Sequence, residues 1–372
     1  MAMHLTLTKP KRRRAVFHEL TISRVERLTD QAIAISFIVP EGLRDDYAFE
    51  PGQHLTIRVT IAGEELRRSY SICVSRQRAL ETGELRVATA LVPEGVMSNW
   101  LHENAEPGKT LSVMTPIGGF TSPTDPTATR HHVAIAAGSG ITPVMSLLTT
   151  ALEEEPNSRA TLIFGNRRTD TIMFLEELMD LKNRYPDRFQ LFHVLSREAQ
   201  EVELLSGRID RDRLERFIEI FIPVEDVDQW YLCGPLGMVE TAQEVLAEHG
   251  VDSHQVHHEI FHVDGTPRRA APPPPKDAAP LAQVTVTLDG RTTLVPVRSR
   301  SESILAATLR ERPDAPFSCT NGVCGTCRAR VVEGEVTMDR NYALEPEEVA
   351  AGIVLTCQSH PVTEKVVLDY DA

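Results

Sequence analysis

The sequence predicts a multidomain chain in which an antiparallel β-barrel, an α/β doubly wound parallel sheet and a small α+β domain follow one another. Its 372 residues are enough for two or three domains. Alternating apolar residues fill the first third, apolar strands and helical patterns alternate in the middle, and a proline-rich stretch precedes the last part. The expected boundaries are residues 1–14, 15–125, 126–267, 268–281 and 282–372.

The N-terminal part has a basic run followed by strands. We expect the run to be a solvated tail, with contact to an acidic partner as the alternative. Its members are Lys9, Lys11, Arg12, Arg13 and Arg14. After it, segments such as HLTIRVTI and ELRVATALV alternate between apolar and polar residues and are separated by turns. Residues 15–125 therefore predict a small antiparallel barrel.

Residues 126–267 change period repeatedly. Helical stretches separate five apolar segments, which are HHVAIAA, ATLIFG, RFQLFHVLS, QWYLCG and QVHHEIF. Strands that alternate with helices form parallel sheets with helices on both faces. This part therefore predicts the doubly wound sheet.

The proline- and alanine-rich residues 268–281 are typical of a semi-extended linker. After them, alternating residues flank Asp289 and Gly290, a pair that favours a hairpin turn. The segment SILAATLRE then predicts a short helix, and a cysteine-containing loop follows it. The pattern predicts a compact α+β domain of the β-grasp ferredoxin type.

Four cysteines, Cys319, Cys324, Cys327 and Cys357, follow the spacing C-x4-C-x2-C…C, which holds plant-type 2Fe-2S clusters. Gly322 and Gly325 would let backbone amides turn toward the cluster. Structural zinc is the alternative, but it favours two short pairs or histidine ligands. A disulfide framework is less favoured, because six cysteines in a chain of this length are sparse. The chain is thus expected to transfer single electrons.

Composition excludes other classes. The net charge of −14 argues against a general nucleic-acid binder. The sequence contains no run of eighteen apolar residues, which a membrane-spanning helix would need. Because cluster chemistry needs reduced thiols, we expect a cytoplasmic protein.

A glycine-rich turn, AAGSGITP, follows the first strand of the predicted parallel sheet. Gly138 and Gly140 permit a tight turn, Thr142 could cap a helix, and Pro143 could begin it, so that the helix N-terminus faces a pyrophosphate. Such a turn alone is a weak signal. The candidate residues here are Gly138, Ser139, Gly140, Thr142 and Pro143.

Three more strand ends carry candidate ligands, namely Arg167, then Ser196 and Arg197, and then Cys233, Gly234 and Pro235. Ligands bind beyond the carboxyl ends of parallel strands, so these groups should converge. Guanidinium groups match phosphate oxygens, and two of them favour the 2′-phosphate of NADPH over NADH. The alternatives are that both arginines are solvated, or that Glu198 binds a ribose hydroxyl.

The segment RRSYS, which includes Arg68, Tyr70 and Ser71, lies in a predicted barrel strand. An exposed aromatic ring beside a cation and hydroxyls suits a flat ring system with a phosphate tail. Farther along, Gly95 and Ser98 precede a helical pattern whose amides could bind a second phosphate.

The order of RRSYS, GVMS, AAGSGITP, CGP and the cysteine loop resembles the ferredoxin-NADP-reductase-like electron-transfer proteins that supply oxygenases. More narrowly, four segments resemble the reductase subunits of phenylacetyl-CoA epoxidases. They are GEELRRSYSIC, AAGSGITP, the stretch from FGNR through FLEELMDLKNRYPDRF, and NYALEPEEVAAGIVLTCQ.

This resemblance implies a role for each motif. Arg68, Tyr70 and Ser71 would bind FAD, and Gly95 and Ser98 its diphosphate. The glycine turn and the CGP segment would bind the diphosphate and nicotinamide of NADPH, while Arg167, Ser196 and Arg197 would lie at its adenosine end. The four cysteines would hold the 2Fe-2S cluster.

One segment departs from the family, because relatives commonly have Glu-Arg-Phe where this chain has Glu259, Ile260 and Phe261. Phe261 remains a candidate neighbour of the flavin or nicotinamide. The implied partner is the di-iron oxygenase component of the epoxidase, with no nucleic acid and no membrane involved. Two alternatives stay open, a different client such as a ring or steroid hydroxylase, and a cluster-based sensor.

Overall fold

A computed structural model describes residues 15–262 and 278–372. The chain divides into two compact units, the described residues of Phe17–Pro267 and those of Arg268–Ala372. The predicted basic tail and most of the predicted linker lie outside the described residues, so both remain predictions. In the described ranges, no helix is long and apolar enough to cross a bilayer.

The first unit begins with an antiparallel barrel. Its six strands are β1 (Phe17–Thr29), β2 (Ala32–Ile38), β3 (His54–Ile61), β4 (Glu64–Ser71), β5 (Glu84–Ala90) and β6 (Thr110–Met114). They lie in the order β4-β3-β6-β1-β2-β5. A bridge between Ile72 and Val87 joins the two ends of this order. Two short helices, α1 (Arg76–Thr82) and α2 (Val96–Asn104), complete the barrel domain.

Alternation in the strands explains the barrel core. Leu55, Ile57 and Val59 on β3 all point into one buried cluster. Successive strand residues face opposite sides, so this period of two places a whole apolar row inside. The prediction of an antiparallel barrel is confirmed.

The same unit continues with a parallel sheet whose strands match the five predicted segments. They are β7 (His131–Ala137), β8 (Arg159–Asn166), β9 (Phe189–Leu195), β10 (Gln229–Pro235) and β11 (Val256–His262). Their order, β11-β10-β7-β8-β9, places the first strand in the centre. All four pairings are parallel. The helices are α3 (Ile141–Glu154), α4 (Leu175–Arg184), α5 (Arg211–Ile220) and α6 (Leu236–Glu248).

The second unit is built on a mixed sheet in the order β13-β12-β18-β14-β16. Its strands are β12 (Ala282–Leu288), β13 (Arg291–Val297), β14 (Arg328–Glu333), β15 (Val336–Met338), β16 (Ile353–Leu355), β17 (Ser359–Pro361) and β18 (Lys365–Asp369). Helices α7 (Ile304–Glu311) and α8 (Pro346–Ala350) accompany them. Strand β18 pairs with β12 in parallel, which gives the β-grasp arrangement.

The predicted hairpin joins β12 to β13. Asp289 and Gly290 have φ angles of 54° and 67°, as a two-residue turn of type I′ requires. The Asp371 carboxylate accepts hydrogen bonds from both of their amides, at 2.9 and 2.7 Å. The C-terminal residues therefore stabilise the turn that begins the domain.

Candidate functional site

The cysteine loop lies between α7 and β14, and Cys357 lies just after β16. Gly322 and Gly325 have positive φ angles of 77° and 66°, which glycine adopts without steric cost. The amides of Asn321 and Val323 turn toward the Cys319 sulfur, at 3.4 and 3.5 Å. The glycines thus turn the backbone inward, as the sequence predicts.

The four cysteines associate as two pairs. Cys319 hydrogen-bonds with Cys324, and Cys327 with Cys357. The bond from Cys324, helped by the loop amides, lowers the pKa of Cys319 to about 6 despite burial. The bond from Cys327, the Gly322 amide and the Gln358 side chain likewise lower the pKa of Cys357. Within each pair, the pKa of one thiol is therefore lowered and that of its partner is raised.

This pairing fits a 2Fe-2S cluster better than a single metal ion. A cluster with two irons and four thiolate ligands takes two thiolates at each iron. In the described ranges, no three histidine, cysteine, aspartate or glutamate side chains gather where one ion could be held. All six cysteines are free thiols. The disulfide hypothesis is therefore not supported.

The RRSYS segment occupies the end of β4, and its two arginines differ. Arg67 is buried and pairs with Glu65 at 2.7 Å, whereas Arg68 is exposed. Tyr70 is half-buried, although the sequence suggested an exposed ring, because it packs at the edge of the barrel core and bonds to Thr89. Burial raises the pKa of Tyr70. Of the two cations, Arg68 is therefore the one available to a ligand.

Helix α2 begins directly after Gly95, so Ser98, which the sequence predicts to precede the helix, lies inside its first turn. The Ser98 hydroxyl accepts a bond from the Val92 amide at 3.2 Å and donates one to the Gly95 carbonyl at 3.1 Å. It therefore holds the loop in shape, and the amides of the first helical turn remain the better candidates for a phosphate. The sequence could not distinguish these two roles of Ser98.

The glycine turn after β7 differs in one detail from the prediction. Helix α3 begins at Ile141 with Gly140 as its cap, so Thr142 and Pro143 lie inside its first turn. The Thr142 hydroxyl donates to the Ser139 carbonyl at 3.0 Å and is not the cap. The cause is a short 3₁₀ turn, Gly138–Gly140, which leads directly into the helix.

The predicted convergence of strand ends is present in the structure. The Arg197 amide donates to the Arg167 carbonyl at 2.8 Å, which places both arginines side by side. A Cβ atom on Gly140 would lie 2.2 Å from the Cys233 carbonyl oxygen, so only glycine permits this approach of the two turns. Parallel register brings these residues to one edge of the sheet.

Glu198 does not match its alternative role as a ribose ligand. Its carboxylate accepts bonds from the amide and hydroxyl of Thr169, at 2.8 and 2.7 Å. These bonds lower the pKa of Glu198. In residues 15–262 and 278–372, neither Arg167 nor Arg197 forms a side-chain ion pair. The arginines are therefore more available to an anion than the glutamate is to a sugar.

Sequence reasoning missed a contact between the barrel and the parallel sheet. The Ser71 hydroxyl donates to Glu259 across 188 positions of chain, at 3.4 Å. Glu259 pairs with Cys233 in the register of β10 and β11. Burial and the nearby carboxylate raise the pKa of Cys233. The sequence could have revealed this contact only through an alignment of the CGP strand with the EIF strand. Such an alignment requires knowing that the two strands are neighbours.

Fold and geometry together define a class of protein, an electron-transfer oxidoreductase with a flavin domain, a nucleotide domain and an iron-sulfur domain. The chain matches three families, described as oxidoreductase FAD-binding domain over residues 19–121, oxidoreductase NAD-binding domain over 134–244, and 2Fe-2S iron-sulfur cluster binding domain over 286–362. Its cofactors are FAD, a 2Fe-2S cluster and NAD(P)H.

Two similar proteins narrow the class of oxidoreductase to which this chain belongs. The chain is 42% identical to one subunit of the 1,2-phenylacetyl-CoA epoxidase of Escherichia coli (strain K12), over 96% of this chain and 98% of the relative. It is 34% identical to the ferredoxin reductase component of 3-ketosteroid-9-alpha-monooxygenase of Rhodococcus rhodochrous, over 94% and 96%. The chain therefore belongs to the family of flavin and iron-sulfur reductase components of monooxygenases.

A solved structure supports the fold. Phthalate dioxygenase reductase has a TM-score of 0.59 with this chain at 22% identity, covering 95% of this chain and 98% of that one. The predicted multidomain fold is thereby confirmed.

Proposed function

We propose that this protein carries electrons from NADPH, through FAD and a 2Fe-2S cluster, to the di-iron oxygenase component of a phenylacetyl-CoA epoxidase. The observation that carries the proposal is the near full-length similarity to a subunit of the Escherichia coli epoxidase. The substrate ester would be bound by the oxygenase component. Because the cluster needs reduced thiols, the proposed compartment is the cytoplasm.

When bound, FAD would accept an electron pair from the nicotinamide and release the electrons singly to the cluster. The chain's residues hold and orient the reactants. Arg68 offers an exposed cation for a flavin phosphate, and Tyr70 offers a half-buried ring face for the isoalloxazine. The first-turn amides of α2, after Gly95, would contact the diphosphate, with Ser98 fixing that loop.

Ser71 and Glu259 belong to the same proposed centre. The Ser71 hydroxyl donates to the Glu259 carboxylate, which fixes the direction of its hydrogen atom and leaves its lone pairs available. Ser71 is 4% exposed, so water has little access to this hydroxyl. The pair would hold a proton beside the flavin ring and keep it from exchanging freely with solvent.

The nucleotide would bind along the edge formed by the ends of β7 to β10. Gly138, Ser139 and Gly140 would approach the diphosphate, with Thr142 and Pro143 in the helical turn behind it. Cys233, Gly234 and Pro235 would border the nicotinamide. Arg167, Ser196 and Arg197 would bind the adenosine end, and two guanidinium groups that form no ion pair with any described residue favour the 2′-phosphate of NADPH.

The cluster ligands are proposed to be the pairs Cys319 with Cys324 and Cys327 with Cys357. Amides that turn toward the Cys319 sulfur would also donate to a cluster ligand. Such hydrogen bonds to the sulfurs raise the reduction potential of an iron-sulfur centre.

Reconstitution tests the proposal. The purified reductase is combined with the oxygenase component of a phenylacetyl-CoA epoxidase, and NADPH oxidation is followed with and without phenylacetyl-CoA. Oxidation coupled to epoxide formation would support the proposal. NADPH oxidation without epoxide formation would contradict the proposed client.

A second candidate client is a steroid monooxygenase, because a reductase of 3-ketosteroid-9-alpha-monooxygenase is also similar over most of the chain. The cofactor motifs do not distinguish these clients, since the same electron path serves either oxygenase. Parallel assays with both oxygenase components decide between them. The true client is the one whose product forms in proportion to the nucleotide consumed.

A further inference from the structure

Three polar side chains lie at every fourth position along α3, and we call Ser146, Thr150 and Glu154 the α3 polar row. Residues four apart lie on the same face of a helix. Ser146 and Thr150 are fully buried, at 0% exposure. Burying hydroxyl groups is unfavourable unless each is hydrogen-bonded. The partners of the α3 polar row therefore show what the row is for.

All three partners come from the barrel domain. The Ser146 hydroxyl donates to the Val74 carbonyl at 2.7 Å. The Arg76 amide donates to the Thr150 hydroxyl at 3.1 Å. The Arg76 guanidinium donates to Glu154 at 3.0 Å and forms an ion pair with its other carboxylate oxygen. One helix of the parallel-sheet domain is thus bound by two residues of the barrel domain, Val74 and Arg76.

The residues on both sides of these hydrogen bonds lie close in sequence to a proposed ligand site. Residues 74–76 begin three positions after Ser71, which ends the proposed flavin strand. Helix α3 begins at Ile141, directly after the proposed dinucleotide turn. From Ser146 to Glu154 the row extends over eight residue-to-residue steps, which is about 12 Å of helix at 1.5 Å per step. Apolar residues of α3 such as Val144, Leu148 and Leu152 pack in the core, and the three directional bonds over this length add a constraint on the rotation of the helix and on its position along the axis relative to the barrel domain.

Thr124 and Glu50 strengthen the exposed end of the row. The Thr124 hydroxyl donates to Glu154 at 2.6 Å, and Arg76 also pairs with Glu50 at 2.9 Å. The hydrogen bond to Glu154, supported by the charge of Glu50, raises the pKa of Arg76, so its charge is constant. The buried hydroxyls of Ser146 and Thr150 lie at the end nearer the dinucleotide turn.

We propose that Ser146, Thr150 and Glu154 are positioning residues that set the distance and angle at which NADPH meets FAD. The inference rests on the proposed assignment of the FAD and NADPH sites. Hydride transfer needs reacting atoms about 3–3.5 Å apart, and a misplacement of 1 Å can slow a reaction about 100-fold. A small shift of α3 would therefore lower the rate of transfer while leaving each ligand bound.

Two substitutions of Thr150 separate the effect of its hydroxyl group from the effect of its side-chain packing. Thr150→Val keeps the shape and removes the hydroxyl, whereas Thr150→Ser keeps the hydroxyl and removes a methyl group. The full chain with its cofactors is mixed with saturating NADPH under anaerobic conditions, and flavin bleaching is followed by stopped flow. We expect Thr150→Val to bleach about tenfold more slowly and Thr150→Ser to stay within about threefold of wild type.

Two further readouts do not depend on turnover. Calorimetric binding of NADP⁺ should stay within about twofold in Thr150→Val, because the proposed ligands are untouched. Amide hydrogen exchange in the peptide containing residues 74–76 should become at least about tenfold faster, because the Arg76 amide loses its acceptor. A matched control is Thr308→Val, which removes another fully buried helical hydroxyl in the second unit. Its bleaching rate should equal that of wild type.

The outcomes distinguish the possibilities. If Thr150→Val bleaches at the wild-type rate, or Thr150→Ser is equally slow, the positioning inference is overturned. If wild-type protein is not bleached by NADPH or NADH, the proposed function fails instead. Should Thr150→Val not retain FAD, Ser146→Ala gives the same test at the adjacent contact, again with slower bleaching and unchanged NADP⁺ binding expected.

Discussion

The cysteine loop and the edge of the parallel sheet bring their groups together in opposite ways. Three of the four cysteines lie within nine consecutive residues, and local turns with glycine fix their directions. At the sheet edge, groups from Gly138 to Pro235 become neighbours only because four parallel strands are in register. The proposed cluster site in the loop therefore depends on the chemistry of the cysteine side chains. The proposed nucleotide site at the sheet edge depends on close packing of the backbone.

The largest effect should follow loss of one cluster ligand. Cys324→Ser replaces a soft thiolate with a hydroxyl, so the cluster should not assemble and cytochrome c reduction should fall to background. NADPH oxidation with ferricyanide, a flavin-directed acceptor, should continue. Cys73→Ala is the control, since Cys73 is a buried thiol outside the loop. Equal loss of both activities in Cys324→Ser would refute the proposed order of electron flow.

Backbone packing at the edge is tested by two glycines in one turn. Gly140→Ala would place a Cβ atom 2.2 Å from the Cys233 carbonyl oxygen, so the free energy of unfolding should fall by about 3 kcal/mol. Gly138→Ala meets no atom within 4 Å and has only the strain of a φ of 54°, about 1 kcal/mol. Urea denaturation of both variants measures the difference. Equal losses would mean that the close approach is not the constraint.

The two arginine charges at the edge of the parallel sheet should affect the preference for NADPH over NADH more than they affect the free energy of unfolding. Arg167→Ala and Arg197→Ala should each raise KM for NADPH about tenfold, because a charge-assisted hydrogen bond contributes about 1.5–3 kcal/mol. KM for NADH should change little. Arg168→Ala is the matched control, since that side chain is exposed and already pairs with Asp170 at 3.0 Å. A parallel rise in KM for both nucleotides would argue against a 2′-phosphate site.

A smaller effect is expected in the pH dependence of the free energy of unfolding of the barrel. Burial lowers the pKa of His54 to about 4, from an ordinary value of 6.5. Unfolded protein therefore binds a proton below pH 6.5 that the folded barrel does not, so stability falls as the pH drops from 6.5 toward 4. Between pH 6.5 and 5.5 the loss should be about 1 kcal/mol. Urea titrations of wild type and His54→Gln should show a shallower pH slope in the variant; identical slopes would exclude His54 as the cause.

The sequence was most informative where structure is local. The cysteine spacing, the hairpin at Asp289 and Gly290, and the five apolar strands each follow from a few neighbouring residues, and the structure contains the hairpin and the strands. Turn chemistry and hydrophobic period act over short distances, so a single sequence reveals them.

Long-range partners could not be predicted in the same way. The bond from Ser71 to Glu259, and those from the α3 polar row to residues 74–76, depend on the packing of two domains. The sequence predicts Thr142 as a cap, but a 3₁₀ turn of three residues leads into a helix that already begins at Ile141, so Thr142 lies inside its first turn. The sequence allows Glu198 as a ribose ligand, but the Glu198 carboxylate already accepts two hydrogen bonds from Thr169. Each case required a neighbour that the sequence pattern does not identify.

The proposed electron path from NADPH through FAD to the cluster is tested most directly by an anaerobic titration of the purified protein with NADPH, repeated with NADH, in which flavin absorbance and the electron paramagnetic resonance signal are recorded together. We expect NADPH to bleach the flavin at lower concentration than NADH, and a rhombic signal of a reduced 2Fe-2S cluster then to appear. Intact protein that contains no flavin or no cluster, or a flavin that neither nucleotide bleaches, would contradict this electron path.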